Sequence, residues 1–237
     1  MTESRGETEA LLTEQIEYYR ARVLEYDEWW DRLGRYDRGP QSNARWFSER
    51  SEVLTEFDDL DLHGDVLELA PGTGIWTERI VRTARVLTAV DASEEMIAVN
   101  RDRLGDAAAK VTYVHADIFT WNPPRQFDAV VFCFWISHVP EERLDWFLRT
   151  VASALTSRGQ IYFVDGKRQP DSTAIDHDLP DPGTQVMTRC LNDERAYRIV
   201  KNFWPAAELE SRCHMAGLNV TVTETATYFQ VGHGERA

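Results

Sequence analysis

A short apolar run followed by a glycine turn constrains this chain more than any other stretch. Residues 66–69 form a run typical of a strand buried in a parallel sheet, and Pro71, Gly72 and Gly74 follow at once. Glycine has no Cβ, so a ligand can approach the backbone of such a turn closely. The start of the helix predicted over 75–84 adds unpaired N–H groups that suit an anionic group. The turn therefore predicts a ligand site at the end of a strand.

A second predicted strand narrows the kind of ligand. Residues 87–91 form an apolar run that ends in Asp91, and an acid at this position binds ribose hydroxyls in nucleotide-binding sheets. Thr77 occupies the position of the third glycine of the dinucleotide fingerprint, and no Lys-Ser/Thr pair completes a P-loop. Strand, turn, helix and acid together predict a nucleoside-binding site. A nicotinamide-dependent oxidoreductase is one alternative that this pattern leaves open.

The run from Glu68 to Gly74 resembles the first motif of the class I S-adenosylmethionine-dependent methyltransferases. The resemblance implies an α/β fold with a doubly wound, mostly parallel, seven-stranded Rossmann-like sheet. It also implies S-adenosyl-L-methionine as cofactor and S-adenosyl-L-homocysteine as product, with Glu68 beside the cofactor's ammonium. The cofactor-binding residues expected on this basis are Tyr19, Arg22, Glu68, Ala70, Gly72, Thr73, Gly74, Asp91, Ala92, Met96, Asp117, Ile118 and Phe134.

Two further predicted strands end at the same edge of the sheet. After the strand at 111–115, Asp117 and Ile118 resemble the family's adenine contact, and a turn or cap role is the alternative for Asp117. After the strand at 127–133, His138 lies on a loop at the expected site. A histidine there can act as a general base because its pKa lies near neutrality. The Ile-x-His-Val segment resembles one shared by family members of different chemistry, which favours a structural role.

Residues 1–57 precede the core and predict an N-terminal helical lid. Apolar side chains recur at three- and four-residue steps over 12–33, and a second amphipathic stretch begins with Ser42 as its expected cap. The aromatic side chains of this region either pack on the sheet or close over the cofactor, since aromatic rings attract a sulfonium cation. The Tyr-Tyr-x-x-Arg segment resembles a lid of small-molecule methyltransferases, which implies Tyr19 at the cofactor and Arg22 on its carboxylate.

Residues 58–237 form the predicted methyltransferase core. The strand–helix alternation stops at 166–204, and we interpret this stretch as an insertion that caps the active site. Asp176, His177 and Asp178 lie within it, yet no second histidine is near and adjacent side chains diverge, so no metal is expected. A helix and an antiparallel pair of strands complete the predicted sheet.

Composition excludes several classes of partner. The formal net charge of −14 argues against nucleic acid, whose binding depends on Lys and Arg at phosphates. Three widely spaced cysteines suit a reducing cytoplasm and give no zinc spacing. The longest apolar run, 129–136, is too short to span a bilayer. We therefore expect a soluble cytoplasmic protein, and the oligomeric state stays open.

Together these features predict transfer of a methyl group from S-adenosylmethionine to an oxygen or nitrogen of a small molecule, with a peptide as a possible acceptor. The expected reaction is an in-line displacement without a metal. Most of its rate would come from holding the nucleophile, methyl group and sulfur in line. His138 is needed as a base only if the nucleophile arrives protonated. A cofactor-binding partner protein without activity is the second alternative.

Replacing Gly72 by valine should abolish cofactor binding and leave most of the fold intact, because the turn lies at the surface where the strands end. Calorimetry with S-adenosylhomocysteine and circular dichroism check both parts. Normal affinity in the Gly72→Val variant would place the cofactor elsewhere.

Overall fold

A seven-stranded sheet forms the centre of the molecule, and the computed structural model describes residues 2–60, 62–181 and 183–237. The strands are β1 (Asp65–Leu69), β2 (Val86–Asp91), β3 (Val111–His115), β4 (Phe127–Cys133), β5 (Leu155–Gly166), β6 (Val186–Cys190), β7 (Ala196–Val200), β8 (Leu218–Glu224) and β9 (Phe229–Arg236). The order in the sheet is β3-β2-β1-β4-β5-β9-β8. Strands β1 to β5 pair in parallel, and β9 pairs antiparallel to β5 and β8. The predicted doubly wound sheet is confirmed.

Helices cover both faces of the sheet. They are α1 (Thr2–Ala21), α2 (Tyr26–Asp31), α3 (Pro40–Asp58), α4 (Thr77–Ile80), α5 (Glu94–Leu104), α6 (Glu141–Ala154) and α7 (Ala206–Met215). Side chains of β1 and β4 alternate between two cores because successive residues of a strand point to opposite faces. One core contains α6 and α7, and the other contains α3 and α4. Burial on both faces explains why these strands are apolar throughout.

Two helix boundaries differ from the sequence prediction. The expected cap at Ser42 is wrong: Gly39 precedes the helix and Pro40 is its first residue, a position that suits the fixed φ of proline. The Ser42 hydroxyl instead donates to Asp171 at 2.6 Å. The helix predicted over 75–84 is α-helical only over Thr77–Ile80. After it the chain forms turns, in which the N–H groups of Arg82 and Thr83 donate to carbonyls three residues earlier.

The predicted cap insertion contains an antiparallel hairpin, β6–β7. Helix α1 packs on it, with Tyr18 buried against Met187 and Ile199. Gln15 accepts the backbone N–H of Val200 at 2.9 Å and donates to the carbonyl of His138 at 3.3 Å. Helix α1 and the 186–200 hairpin therefore form one layer over the ends of the strands, which we call the cap.

The remaining part of the N-terminal segment packs against the sheet. Trp30 and Trp46 lie in the same core as α4. Glu49, on α3, accepts backbone N–H groups of Thr227 and Tyr228 at 3.1 and 2.7 Å. The boundary between lid and core at residue 57 stays a prediction. In the structure α3 contacts the sheet, whereas α1 contacts the hairpin.

Neither a membrane-spanning helix nor a metal cluster occurs among the described residues. Within them no helix combines the length and the apolar content that crossing a bilayer needs. No group of three His, Cys, Asp or Glu side chains in the described ranges is arranged to hold a metal ion. His177, from the acidic stretch of the insertion, instead accepts the backbone N–H of Cys190 at 2.9 Å.

Candidate functional site

The ends of β1, β2 and β4 open into a cavity of about 710 Å³, mouth included, which we call the first cavity. Most of the residues predicted at the cofactor line it, together with His138: Tyr19, Ala70, Gly72, Asp91, Ala92, Met96, Asp117, Ile118 and Phe134. They meet because the carboxyl ends of parallel strands lie at one edge of a sheet. The structure thus brings these residues together, and their individual contacts with a cofactor stay predictions.

Asp91 and the glycine turn form the floor of the first cavity. The N–H of Gly72 donates to Asp91 Oδ2 at 3.2 Å, and the N–H of Ser93 donates to Oδ1 at 2.9 Å. Burial raises the pKa of Asp91 to about 6, although these bonds favour the carboxylate. Hydroxyl groups of a ligand would add the donors that this buried carboxylate lacks.

Two residues at strand ends have strained backbones. Ala70 follows β1 with φ +52°, and Phe134 follows β4 with φ +56°, both in the left-handed region that favours glycine. Such conformations cost about 1 kcal/mol or more each and tend to occur at functional sites. Both residues line the first cavity, where they turn the chain away from the sheet.

Three further residues predicted at the cofactor, Glu68, Thr73 and Gly74, do not line the first cavity. Glu68 is buried, one of its carboxyl oxygens has no partner, and burial raises its pKa to about 8. A Cβ on Gly74 would meet the side chain of Asn100 at 2.9 Å, and that amide donates to Thr77 Oγ1 at 2.8 Å. Thr73 donates to a carboxylate of α2. The contacts of these three residues with a cofactor stay predictions.

Helix α1, part of the predicted N-terminal lid, lines the first cavity with three residues that were not predicted there. Leu12, Gln15 and Ile16 line it, and their helical spacing was the only signal. Trp135 also lines it, and its buried indole N–H has no partner among the described residues. The carboxylate of Asp117 accepts the N–H of Phe119 at 2.9 Å, which is the turn contact weighed as its alternative role. The cavity offers both apolar walls and polar atoms with bonding capacity left, as a nucleoside cofactor requires.

A second cavity of about 570 Å³, mouth included, lies on the other side of Tyr19 and His138. Arg22 lines this cavity and not the first, so its predicted contact with the cofactor's carboxylate stays a prediction. Arg189 and Lys201 line it from the cap hairpin and the residue after it. Neither residue was predicted at a site from the sequence. The apolar side chains on its wall are Trp29, Trp46, Leu179, Met187 and Phe203.

Arg22, which is buried, and Arg189, which is half-buried, place positive charge at the wall of the second cavity. Neither forms an ion pair in the part of the chain that the structure describes. Arg22 is 3% exposed and donates to the hydroxyl of Tyr36 at 3.0 Å, and the Nε of Arg189 is buried without a partner. Burial by itself lowers the pKa of both groups, yet nearby tyrosines raise it, so both stay charged. An uncompensated buried cation is costly unless an anion meets it.

Lys201 is the third cation of the second cavity, and it is paired. Its ammonium donates to Ser137 Oγ at 2.7 Å and to Asp165 at 3.3 Å. Burial lowers the pKa of Lys201, and the neighbouring Asp165 opposes this. Asp165 also accepts the N–H of Ser137 at 2.9 Å, which fixes the pair at the end of β5. Lys201 therefore contributes a positioned N–H donor more than net charge.

His138 lies between the two cavities in a single neutral form. Its Nδ1 lies 2.7 Å from the carbonyl of Val200 and must carry the proton, so Nε2 accepts from the Tyr19 hydroxyl at 2.8 Å. Burial, followed by the charges of Lys201 and Arg189, holds its pKa well below the usual range. Both cavities are lined by Tyr19, Tyr26, Phe134 and His138. A ligand group in one cavity would therefore meet a ligand group in the other at these residues.

Comparison with known proteins gives one matching family and close structural neighbours. The family described as "Methyltransferase domain" matches residues 66–159. Two solved structures, "DhpI-SAH complex structure" and "DhpI-SAM-HEP complex", are 32% and 35% identical in sequence, with TM-scores of 0.75 and 0.76. The first match covers 96% of this chain and 97% of the neighbour, and the second covers 94% and 96%.

Curated relatives are more distant. "Uncharacterized methyltransferase Bcer98_3087" of Bacillus cytotoxicus is 24% identical over 141 residues, which span 59% of this chain and 65% of that relative, just under two thirds. "Ubiquinone biosynthesis O-methyltransferase" of Pseudomonas putida (strain GB-1) is 24% identical over 218 residues, covering 88% of this chain and 87% of the relative.

Replacing Asp91 by alanine should weaken binding of S-adenosylhomocysteine by about 2–3 kcal/mol, a few tens-fold, because bonds to two hydroxyls are lost. Because the pKa of Asp91 is about 6, affinity of the unmodified protein should be highest above pH 7 and fall as the pH drops below 6 and the carboxylate is protonated. Calorimetry across this range measures both effects.

Asp102→Ala, an exposed carboxylate on α5, is the control and should bind as the unmodified protein does. An affinity independent of pH between 5 and 7, or unchanged in Asp91→Ala, would contradict the ribose assignment.

Proposed function

This chain belongs to the class I S-adenosylmethionine-dependent methyltransferases, and we propose that it transfers the methyl group to an oxygen of a small anionic molecule. Its cofactor is S-adenosylmethionine, which supplies an electrophilic methyl group on a sulfonium sulfur. The family membership decides against the nicotinamide alternative. The proposal concerns what this chain's residues do with the acceptor.

The observation that carries the proposal is a pair of arginines without a carboxylate partner at the second cavity, Arg22 buried and Arg189 half-buried. A protein with a net charge of −14 has many carboxylates to place beside them, and none lies within ion-pair distance of Arg22 or Arg189 in the described ranges. Guanidinium groups bind planar and tetrahedral oxyanions through paired N–H donors. An oxyanion of the acceptor is the counter-charge that the second cavity lacks.

The position of the two cavities supports methyl transfer between them. Asp91 and the glycine turn line the first cavity, the cations line the second, and Tyr19 and His138 border both. An acceptor whose anionic group lies on Arg189 would place a neighbouring oxygen at this boundary. Holding that oxygen in line with the methyl group and sulfur supplies most of the rate of such a displacement.

His138 is better suited to positioning than to proton removal. Its one basic nitrogen already accepts the Tyr19 hydroxyl, and its low pKa makes it a weak base. The acceptor oxygen should therefore already be deprotonated when it binds, as it is in an ionised oxyanion. Relatives named "Ubiquinone biosynthesis O-methyltransferase" likewise name oxygen as the atom methylated. Oxygen is thus favoured over nitrogen.

The apolar wall of the second cavity limits the rest of the acceptor. Trp29, Trp46 and Phe203 would cover a short apolar or aromatic part of the molecule, as in other ligand sites. A space of about 570 Å³ suits a small molecule better than a peptide, which remains an outcome of the test. The exclusion of nucleic acid and the cytoplasmic location stay predictions from composition.

Incubation with S-adenosylmethionine and a panel of small carboxylates, phosphates and sulfonates tests the proposal, each paired with a neutral analogue of the same shape. Mass spectrometry should detect one added methyl group on anionic members only. Equal methylation of the neutral analogues, methylation of peptides alone, or no transfer to any anion would contradict it.

Arg189→Leu should raise the KM of an anionic acceptor roughly 30-fold, about 2 kcal/mol, because a charge-assisted bond in a buried site is lost. Affinity for S-adenosylhomocysteine should stay within twofold, about 0.4 kcal/mol, since Arg189 does not border the first cavity. The control is Arg195→Leu, an exposed arginine of the same hairpin paired with Asp193. Equal effects of both substitutions would indicate a general charge effect.

We also propose that α1 is the mobile part of the predicted lid, because Leu12 and Ile16 close the cofactor cavity and must move to admit a ligand. Hydrogen exchange over residues 10–21 should slow on adding S-adenosylhomocysteine, and more than over α6, which is buried against the sheet. Equal protection with and without the ligand would make this segment a fixed part of the core.

A further inference from the structure

Arg22 lies in a cage of tyrosines. Its guanidinium carbon is 4.9 Å from the ring centre of Tyr26 and 5.6 Å from those of Tyr18 and Tyr36. The Tyr36 hydroxyl accepts one N–H of Arg22 at 3.0 Å. Among the described residues this is the one hydrogen bond that the Arg22 side chain forms. Aromatic faces attract a cation without neutralising it. The cage therefore holds Arg22 in place and leaves its charge for a ligand.

A carboxylate in place of the tyrosines would have the opposite effect. It would hold Arg22 more strongly, but it would also compete with an incoming oxyanion for the same N–H donors. The phenol of Tyr36 is buried, and burial raises its pKa, so it accepts the N–H as a neutral group. A neutral acceptor fixes one edge of the guanidinium and directs the remaining N–H groups away from itself.

The turn that carries Tyr36 is braced against the strand that carries the second arginine. Tyr36 ends the turn Gly34–Tyr36, and its neighbour Arg35 donates to the carbonyl of Cys190 at 2.8 Å. Cys190 directly follows Arg189 in β6. The connection Tyr36–Arg35–Cys190–Arg189 thus links the two cations, in addition to the packing of α1 on the hairpin.

We propose that Tyr36 is a positioning residue for the acceptor, which it orients through Arg22 without touching it. Tyr36 is 2% exposed and lines neither cavity. This inference rests on the proposed function, because it takes the second cavity as the site of an oxyanion. It adds that recognition depends on a hydroxyl outside that cavity.

The test uses inorganic phosphate as a minimal oxyanion, bound to the full chain saturated with S-adenosylhomocysteine. The rise in thermal unfolding midpoint with phosphate concentration gives its apparent Kd. Tyr36→Phe, which removes the hydroxyl and keeps the ring, should raise that Kd about five- to tenfold. Tyr197→Phe, whose hydroxyl accepts from exposed Arg195, is the control and should leave it unchanged. Affinity for S-adenosylhomocysteine should be unchanged in both variants.

Arg22→Leu and Arg189→Leu separate this inference from the proposed function. If Arg22→Leu weakens phosphate binding and Tyr36→Phe does not, the proposed role of Tyr36 is overturned and the anion site stands. Unchanged phosphate binding in both arginine variants would overturn the site itself. If Tyr36→Phe weakens S-adenosylhomocysteine as much as phosphate, Tyr36 has a structural role or Arg22 serves the cofactor, and the inference fails.

Discussion

Burying a charge without a counter-charge costs free energy, and this constraint governs the arrangement of the charged residues around the second cavity. Aromatic side chains hold Arg22 inside the protein, and Arg22 and Arg189 both line the second cavity. Lys201 follows the opposite rule, since Asp165 balances it. The contrast distinguishes a paired cation, which holds the structure together, from unpaired cations, which the proposed function assigns to a ligand. The same cations help to keep His138 neutral, because the charges of Lys201 and Arg189 lower its pKa.

The sheet could be predicted because its strands obey simple patterns. Strands β3 and β4 begin and end where the apolar runs do, and the residues after β1 and β2 meet as parallel topology requires. Strand β6 was missed for a physical reason. Met187 and Arg189 share its inner face, and an arginine there breaks the alternation by which a strand is recognised. The alternation fails at this strand because a charged residue occupies a position that packing would give to an apolar residue.

The second shortfall concerns Arg22 and the end of α1. Apolar spacing continues from Leu12 to Leu33, yet the helix ends at Ala21 and the chain turns before α2. That turn points Arg22 into the second cavity, beside residues far away in sequence. No local signal encodes such a change of direction, since it depends on packing between α1 and the hairpin. The same packing lets the cap form one wall of each cavity, so that ligands in both contact a common element.

The shared wall of the two cavities has a consequence for protein engineering and for divergence within the family. Tyr19 and Phe134 border both cavities, so under the proposed function a substitution there changes cofactor affinity together with acceptor preference. Thr173, Met187 and Phe203 border the second cavity alone. A library restricted to these three positions can alter selectivity while the cofactor's surroundings stay constant. Homologues that accept different substrates should accordingly vary at these positions more than along the shared wall.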